Sequence, residues 1–136
     1  MRVLIIDDDE LDRRAIKRAL KRSGLTFEVH EASDARSGIA LAQASSFDCV
    51  LLDFRLPDMD GLAVVKKLAE LNQNVAPAIV MLTGEGDEHI AVEALKSGIQ
   101  DYLPKSSLTE AALGRAISTA VNLVDAQNQI TELNRQ

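Results

Sequence analysis

The chain has 136 residues, of which 46% are hydrophobic, and its 21 acidic residues outnumber its 15 basic ones to give a formal charge of −6. This length and composition predict one globular domain that buries a core without disulfides. The acidic balance and the scarcity of aromatic residues argue against direct binding to nucleic acid. No apolar run reaches the ~18 residues of a membrane span. The single cysteine, Cys49, lies in an apolar run, so we expect a cytoplasmic protein with no membrane contact.

Five short apolar runs, most of them continuous rather than alternating, predict strands that are covered on both faces. They occupy residues 3–6, 27–30, 49–52, 79–82 and 102–103. Single helical segments separate them, so the strands are expected to run parallel with right-handed crossovers. The sequence therefore predicts an α/β fold with a doubly wound, five-stranded parallel sheet in three layers.

The segments between the strands carry apolar residues at helical spacing. Helices are predicted over 11–20, over 35–44 behind an Asp34 cap, over 62–71 and over 90–95. The last segment is predicted as one extended helix over 108–135. It would be about 42 Å long and would project beyond a domain about 30 Å across.

The end of that helix carries a second apolar pattern. Leu123, Ala126, Ile130 and Leu133 recur at a/d spacing. We therefore expect a domain over 1–123, followed over 124–136 by a projecting end that pairs with a second copy as a parallel homodimer and continues into an output module. A frayed tail is the alternative.

Acidic residues follow two of the predicted strands. Asp7 and Asp8 come after the first strand and Asp53 after the third, at the edge where doubly wound sheets bind ligands. Adjacent carboxylates repel one another, and a hard cation such as Mg²⁺ relieves the repulsion through oxygen ligands. Acids that merely favour a helix N-terminus are the structural alternative, but Asp7 still lies on the strand.

A nucleophile and two phosphate-binding groups are expected at the same edge. A carboxylate such as Asp53 can attack phosphorus and form an acyl phosphate, although it can also simply begin a loop. Thr83 presents a hydroxyl beside Gly84, whose missing side chain leaves room for a phosphoryl group. Lys105 follows the fifth strand and supplies a positive charge for phosphoryl oxygens.

These residues lie in motifs that closely resemble one known family. The motifs are Asp7-Asp8, Leu52-Asp53 followed by the LPDMDG run at 56–61, Leu82-Thr83-Gly84, and the DYLPK run at 101–105. Together, across about residues 1–123, they resemble the receiver domain of two-component response regulators. The resemblance implies a flavodoxin-like fold with strand order 2-1-3-4-5.

The same resemblance implies a phosphorylation-activated signalling switch rather than an enzyme, with self-phosphotransfer and autodephosphorylation as its only chemistry. The phosphoryl donor would be a histidine kinase or a phosphotransfer protein. The cofactor would be Mg²⁺. Its ligands would be Asp8 directly, Asp7 through water, Asp53, and the backbone carbonyl of Arg55.

The remaining roles also follow from the resemblance. Asp53 would be the phosphoacceptor, while Thr83, Gly84 and Lys105 would bind the phosphoryl oxygens. Tyr102 occupies the position of the aromatic switch residue, which turns inward when Thr83 moves toward the phosphate.

The sequence departs from the family pattern at two places. Receivers commonly place Pro directly after the lysine, whereas here Pro104 precedes Lys105 and Ser106 follows it. Arg55 and Glu85 stand two residues beyond the phosphoacceptor and threonine positions, and their opposite charges suggest an ion pair over the site.

Two other classes use a similar sheet. A phosphatase of the haloacid-dehalogenase type also combines an Asp nucleophile with Mg²⁺. However, its acid/base Asp would stand where this chain has Arg55, and 136 residues leave no room for a cap domain. A flavodoxin would carry a hydroxyl-rich phosphate loop after the first strand, where this chain has Asp7-Asp8-Asp9-Glu10.

Overall fold

The computed structural model of the chain describes residues 1–71 and 76–134, with side chains described for 1–70 and 76–130. The strands are β1 (Arg2–Ile6), β2 (Glu28–Ala32), β3 (Cys49–Asp53), β4 (Ala78–Thr83) and β5 (Asp101–Pro104). The helices are α1 (Glu10–Arg22), α2 (Ala35–Ala44), α3 (Gly61–Leu71), α4 (Glu88–Lys96) and α5 (Glu110–Asn134), and a 3₁₀ turn (Lys105–Ser107) links β5 to α5.

The five strands form one parallel sheet in the order β2-β1-β3-β4-β5. Both neighbours of β1 pair with its last residue, because Ile6 is in register with Ala32 of β2 and with Leu52 of β3. The predicted doubly wound, flavodoxin-like sheet is confirmed. Its order reverses between β1 and β3, which brings the ends of these two strands together.

Alternation along β1 assigns side chains to two buried layers, because successive strand residues point to opposite faces. Val3 and Ile5 pack in the cluster that contains α1 and α5 side chains. Leu4 and Ile6 pack in the cluster that contains α2, α3 and α4 side chains. Helices therefore cover both faces of the sheet, as the continuous apolar strands predict.

Most strand and helix boundaries differ from the prediction by one or two residues. The second strand extends over Glu28–Ala32 rather than 27–30, because its pairing with β1 continues past the charged Glu31 to Ala32. The fifth strand is four residues long rather than two. The last helix begins at Glu110 rather than at 108, because the Thr109 hydroxyl accepts a hydrogen bond from the Ala112 N–H at 3.1 Å.

Helix α5 is the longest element, and its 25 residues span about 38 Å. Val124 is the last residue that either apolar cluster includes. Leu123 and Ile130 are 47% and 58% exposed. Arg135 and the side chain of Leu133 lie outside the described residues, so the predicted end of the helix is untested there.

Two further expectations concern the single cysteine and the membrane. Cys49 is fully buried, and this burial, with a smaller contribution from the charge of Asp48, raises the pKa of its thiol to about 12. It is a core residue rather than a reactive thiol. Among the described helices, none combines the length and the apolar character that crossing a bilayer requires.

Candidate functional site

Three carboxylates meet where β1 and β3 end. Asp7 directly follows β1, and its N–H donates to the Ala32 carbonyl at 3.0 Å. Asp53 is the last residue of β3. Ligand oxygens of Asp7, Asp8 and Asp53 all lie within 4.8 Å of one another, with Asp7 and Asp53 buried and Asp8 exposed. The structure thus brings together the three carboxylates that the sequence proposes as metal ligands.

Hydrogen bonds hold one oxygen of each buried carboxylate. Asp7 Oδ1 accepts from the Asp9 N–H at 2.9 Å, and Asp53 Oδ1 accepts from the Arg55 N–H at 3.2 Å. Arg13 Nη1 donates to the Asp7 carbonyl at 2.7 Å, which ties the end of β1 to α1. Asp7 Oδ2 is buried and accepts no well-oriented hydrogen bond from the described residues, although the Lys105 ammonium lies 3.1 Å from it. Such an anionic oxygen suits a hard cation, and this all-oxygen set is the kind that Mg²⁺ prefers.

The electrostatics of Asp53 reflect this crowding. Burial and, after it, the negative charge of Asp7 raise the pKa of Asp53 to about 6, although Lys105 opposes the rise. The ionised form of Asp53 is therefore held in an unfavourable environment that a cation would relieve. A carboxyl pKa raised in this way, beside a specific charged partner, is typical of functional sites.

Lys105 extends from the 3₁₀ turn into the same cluster. Its Nζ lies 3.3 Å from Asp53 Oδ2 and 3.1 Å from Asp7 Oδ2, both ion-pair distances. Its shortest contact is a hydrogen bond of 2.7 Å to Asp12 Oδ2 on α1. Burial works against the charged amine, but the Asp12 hydrogen bond and the charges of Asp53 and Asp7 raise the pKa of Lys105 above its usual value.

Asp12 is a site residue that the sequence reasoning missed. It lies in the first turn of α1, three residues after the N-cap Asp9, whose side chain accepts from the Leu11 and Asp12 N–H groups. An acidic residue in a first helical turn is commonly explained by the helix dipole alone. The available signal was its position, because the first turn of α1 begins at the same edge of the sheet as Asp7.

Thr83 and Lys105 line one cavity of about 310 Å³ between the loops that follow β4 and β5. Thr83 is the last residue of β4 and is 1% exposed. Its Oγ1 is buried and has no hydrogen-bond partner among the described residues. Gly84 follows it and also lines the cavity. A buried hydroxyl without a partner, beside a lysine, is available to an incoming anion.

Comparison with known proteins agrees with this geometry. The family described as response regulator receiver domain matches residues 3–118. The chain belongs to that family. It is 43% identical over 103 residues to the transcriptional regulatory protein SrrA of Staphylococcus aureus (strain NCTC 8325 / PS 47), a match that covers 76% of the chain. The chain spans only 41% of the length of that relative.

Solved structures show the same fold. A response regulator receiver domain protein from Clostridium thermocellum superposes with a TM-score of 0.80 at 30% identity, covering 93% of this chain and 98% of that one. A CheY-like receiver domain protein from Methanospirillum hungatei JF-1 gives a TM-score of 0.79 at 28% identity, covering 93% and 97%. The receiver fold therefore accounts for nearly the whole chain.

This receiver domain is a signalling domain, of the kind that is phosphorylated on an aspartate in two-component response regulators. The comparisons do not support the haloacid-dehalogenase alternative. Flavodoxins and receivers share this sheet order, so the match to the receiver family, rather than the topology, separates the two classes.

The expected ion pair between Arg55 and Glu85 is replaced by another. Both oxygens of the Asp87 carboxylate accept from the Arg55 guanidinium, at 2.9 and 3.2 Å. Asp87 also accepts from the Gly84 N–H at 3.3 Å and is 2% exposed, whereas Glu85 is exposed. The turn after β4 therefore presents Asp87, rather than Glu85, to Arg55.

The other predicted residues lie as follows. Tyr102 is half-buried in β5, in register with Met81 of β4, and packs against the cluster beneath α2, α3 and α4. Arg55 forms an isolated antiparallel bridge with Asp60 in the loop after β3. Despite the unusual placement of Pro104, Lys105 reaches Asp53, and the described residues contain no cis peptide bond.

Proposed function

We propose that Asp53 accepts the phosphoryl group in this receiver domain. The observation that carries this proposal is the position of its carboxylate, which is buried beside Asp7 with Oδ2 3.3 Å from the Lys105 ammonium. Asp53 Oδ2 attacks phosphorus, a new O–P bond forms, and the N–P bond of a donor phosphohistidine breaks. The released imidazole nitrogen takes up a proton. Hydrolysis of the acyl phosphate returns the carboxylate, and we propose no other chemistry for the domain.

Lys105 and Thr83 are proposed to bind the phosphoryl oxygens. The Lys105 ammonium already faces Asp53, and the Thr83 hydroxyl is buried without a partner in the cavity that the two residues share. Gly84 adds no side chain that would block an oxygen at this place. We propose that Thr83 moves toward the new phosphate and that Tyr102 turns inward behind it, which changes the surface formed by α4 and β5.

Asp7, Asp8 and Asp53 are proposed to hold Mg²⁺, with the backbone carbonyl of Arg55 as a further ligand. The close approach of the three carboxylates and the raised pKa of Asp53 both support a cation at this cluster. When bound, the ion supplies positive charge that neutralises the carboxylates and the transferred phosphoryl oxygens. The Arg55 N–H orients the nucleophile by donating to Asp53 Oδ1, which leaves Oδ2 to attack.

The proposed partner is a histidine kinase or a phosphotransfer protein, and the proposed location is the cytoplasm. We further propose that residues 1–123 form the receiver domain and 124–136 its projecting end. Val124 is the last residue in the described core and Ile130 beyond it is exposed, which supports a boundary within a residue or two of this position. The exposed side chains of Leu123 and Ile130 would join two copies of the chain in a parallel homodimer.

Labelling with a small acyl phosphate donor and Mg²⁺ tests the phosphoacceptor. We expect acid-stable, base-labile phosphate on the wild type and none on Asp53→Asn. Asp125→Asn, which removes an exposed carboxylate on α5, is the matched control and is expected to be labelled like the wild type. Undiminished labelling of Asp53→Asn, or full labelling of the wild type in excess chelator, would contradict the proposal.

A further inference from the structure

Lys105 has a partner that the proposed chemistry does not use. Its hydrogen bond to Asp12 joins residues 93 positions apart and, at 2.7 Å, is shorter than the distances from its Nζ to Asp7 and Asp53. Asp12 is not one of the three carboxylates that approach within 4.8 Å of one another. It contacts the lysine from α1, whereas Asp53 contacts it from the end of β3.

We expect the hydrogen bond between Lys105 and Asp12 to influence the site, because both side chains are only partly exposed to water. The Lys105 side chain is 23% exposed and that of Asp12 is 36% exposed. A charge-assisted hydrogen bond between such groups is screened less than one between fully exposed groups. The ammonium donates one hydrogen bond to Asp12, and the carboxylates of Asp7 and Asp53 lie at ion-pair distance from it, so three negative groups already share its charge.

A phosphoryl group on Asp53 adds nearly two negative charges and three acceptor oxygens beside the same ammonium. Lys105 can satisfy these oxygens only by giving up or weakening a present contact. Asp12 holds its strongest hydrogen bond, so the phosphoryl oxygens compete directly with Asp12. The residue that holds Lys105 in the unphosphorylated domain thereby opposes its transfer to the phosphate.

We propose that Asp12 is a positioning residue that retains Lys105 on α1 and so weakens the binding of a phosphoryl group at Asp53. This inference rests on the proposed function of Asp53 and Lys105. Asp12 itself touches neither the nucleophile nor the transferred group. Its effect is exerted through the lysine, and it sets how much of the lysine's charge is available to the phosphorylated state.

The test uses the full chain with Mg²⁺ and the beryllium trifluoride anion, a phosphoryl mimic, titrated and followed by ¹⁹F NMR. Asp12→Asn removes the charge at little cost in volume, and we expect it to bind the anion roughly fivefold more tightly than the wild type. Asp12→Glu retains a carboxylate that can reach Lys105, and we expect it to bind within about twofold of the wild type.

Glu10→Gln is the matched control, because it removes one exposed negative charge from the same turn of α1. In the wild type, Glu10 pairs with Arg14 rather than with Lys105. We expect an effect within about twofold. Circular dichroism checks the fold of each variant, and Asp12→Ser provides a second neutral substitution if Asp12→Asn is unfolded. The inference would be overturned if the neutral Asp12 variant bound the anion no more tightly than the wild type, or if Glu10→Gln increased the affinity equally. Either result would leave Asp53 as the phosphoacceptor. A wild type that does not bind the anion would overturn the proposed function as well.

Discussion

Arg55 and Asp87 join the two loops that border the candidate site. The guanidinium of Arg55 donates to both carboxylate oxygens of Asp87, and its backbone N–H donates to Asp53 Oδ1. On the other side of the pair, Asp87 accepts from the N–H of Gly84, the residue after Thr83. A continuous path of hydrogen bonds therefore leads from the carboxylate of Asp53 to the backbone beside Thr83.

Arg55→Gln tests the contribution of this pair to stability. The Arg55 hydrogen bonds and charge lower the pKa of Asp87, although burial opposes them. A lowered carboxyl pKa stabilises the fold above the ordinary carboxyl range, and this stabilisation is lost as the pH falls through the lowered value. We expect Arg55→Gln to unfold at a lower urea concentration than the wild type at pH 7, with a difference that narrows below about pH 4.

Glu85→Gln is the control for that measurement, because Glu85 is the partner that the sequence suggests. It is exposed, so its substitution is expected to leave the urea midpoint nearly unchanged. If Glu85→Gln lowered the midpoint as much as Arg55→Gln, the assignment of the pair to Asp87 would be wrong.

The sequence predicts the parts of this molecule that depend on chain-local patterns and on the topology of parallel sheets. Continuous apolar strands separated by helices require one sheet with its carboxyl ends at a common edge. That rule brings Asp7, Asp53 and Lys105 together without knowledge of any side-chain contact. The predicted Asp34 cap of α2 is equally local, and it is confirmed because the Asp34 carboxylate accepts a hydrogen bond from the Ser37 N–H at 2.7 Å.

The parts that it does not predict are pairings between distant charges. Nothing in the sequence around Asp12 or Lys105 indicates that the two side chains meet. An acidic residue is common in the first turn of a helix, and a lysine is common in an exposed loop. For Arg55, two nearby acids compete, and the outcome depends on the turn between them. Gly86 adopts a positive φ of 86°, which reverses the chain and buries Asp87.

The raised pKa of Asp53 predicts how stability changes with pH in the absence of Mg²⁺. A carboxyl whose pKa in the folded state is about 6, against an ordinary value of 3.8, destabilises the folded state as the pH rises between these values. We expect Asp53→Asn to be more stable than the wild type at pH 7 by about 2 kcal/mol, after allowance for solvent screening.

Urea unfolding between pH 4 and 8 measures this difference, with chelator in one series and Mg²⁺ in the other. The advantage of Asp53→Asn should disappear near pH 4, where the wild-type carboxyl is protonated in the folded state. Mg²⁺ should reduce the advantage at pH 7 by stabilising the wild type. A wild type more stable than the variant at pH 7 in chelator would contradict the assigned environment of Asp53.

Substitution of Thr83 is expected to separate phosphorylation from the response to it. Thr83→Ala retains the nucleophile and the three carboxylates, so it should still be labelled by a small acyl phosphate. It removes the hydroxyl that is proposed to move toward the phosphate, so the inward turn of Tyr102 should be lost. Lys105→Ala is expected to behave in the same way, and Thr83→Ser, which keeps the hydroxyl, is the control.

The readout is the ring resonances of Tyr102, which are unambiguous because the chain has one tyrosine. Phosphorylation should shift them in the wild type and in Thr83→Ser but not in the two alanine variants. A wild-type shift in either alanine variant would show that the change reaches Tyr102 by another route.

Alanine substitutions at two glycines are expected to change the stability of the fold in opposite directions. A Cβ at Gly38 in α2 would overlap the Ile6 side chain, with Cγ1 only 2.7 Å away, and Ile6 is fully buried in β1. Gly38→Ala is therefore expected to destabilise the fold by about 1–3 kcal/mol. A Cβ at Gly114 in α5 would meet Ser23 Cβ at an ordinary 3.6 Å, so Gly114→Ala should stabilise the fold by about 0.5–1 kcal/mol. Urea unfolding measures both, and equal effects of the same sign would contradict the packing.

The exposed side chains of α5 give the last prediction. Leu123 and Ile130 are one heptad apart, and both are about half exposed although their neighbour Val124 is buried in the core. Apolar side chains on one stripe of a long helix lose their contact with water when a second helix packs on them. We therefore expect the full chain to form dimers at high concentration, detected by light scattering.

The Leu123→Gln/Ile130→Gln double variant is expected to be monomeric with unchanged helical content, because it alters the exposed stripe and leaves Val124 in place. Truncation before Val124 would be a poorer test, since it would remove a core side chain together with the stripe. Asp125→Asn lies off the stripe and should dimerise like the wild type. A full chain that stays monomeric at high concentration, whether phosphorylated or not, would leave the two exposed residues without a role in pairing, and the projecting end would then be a solvated helix.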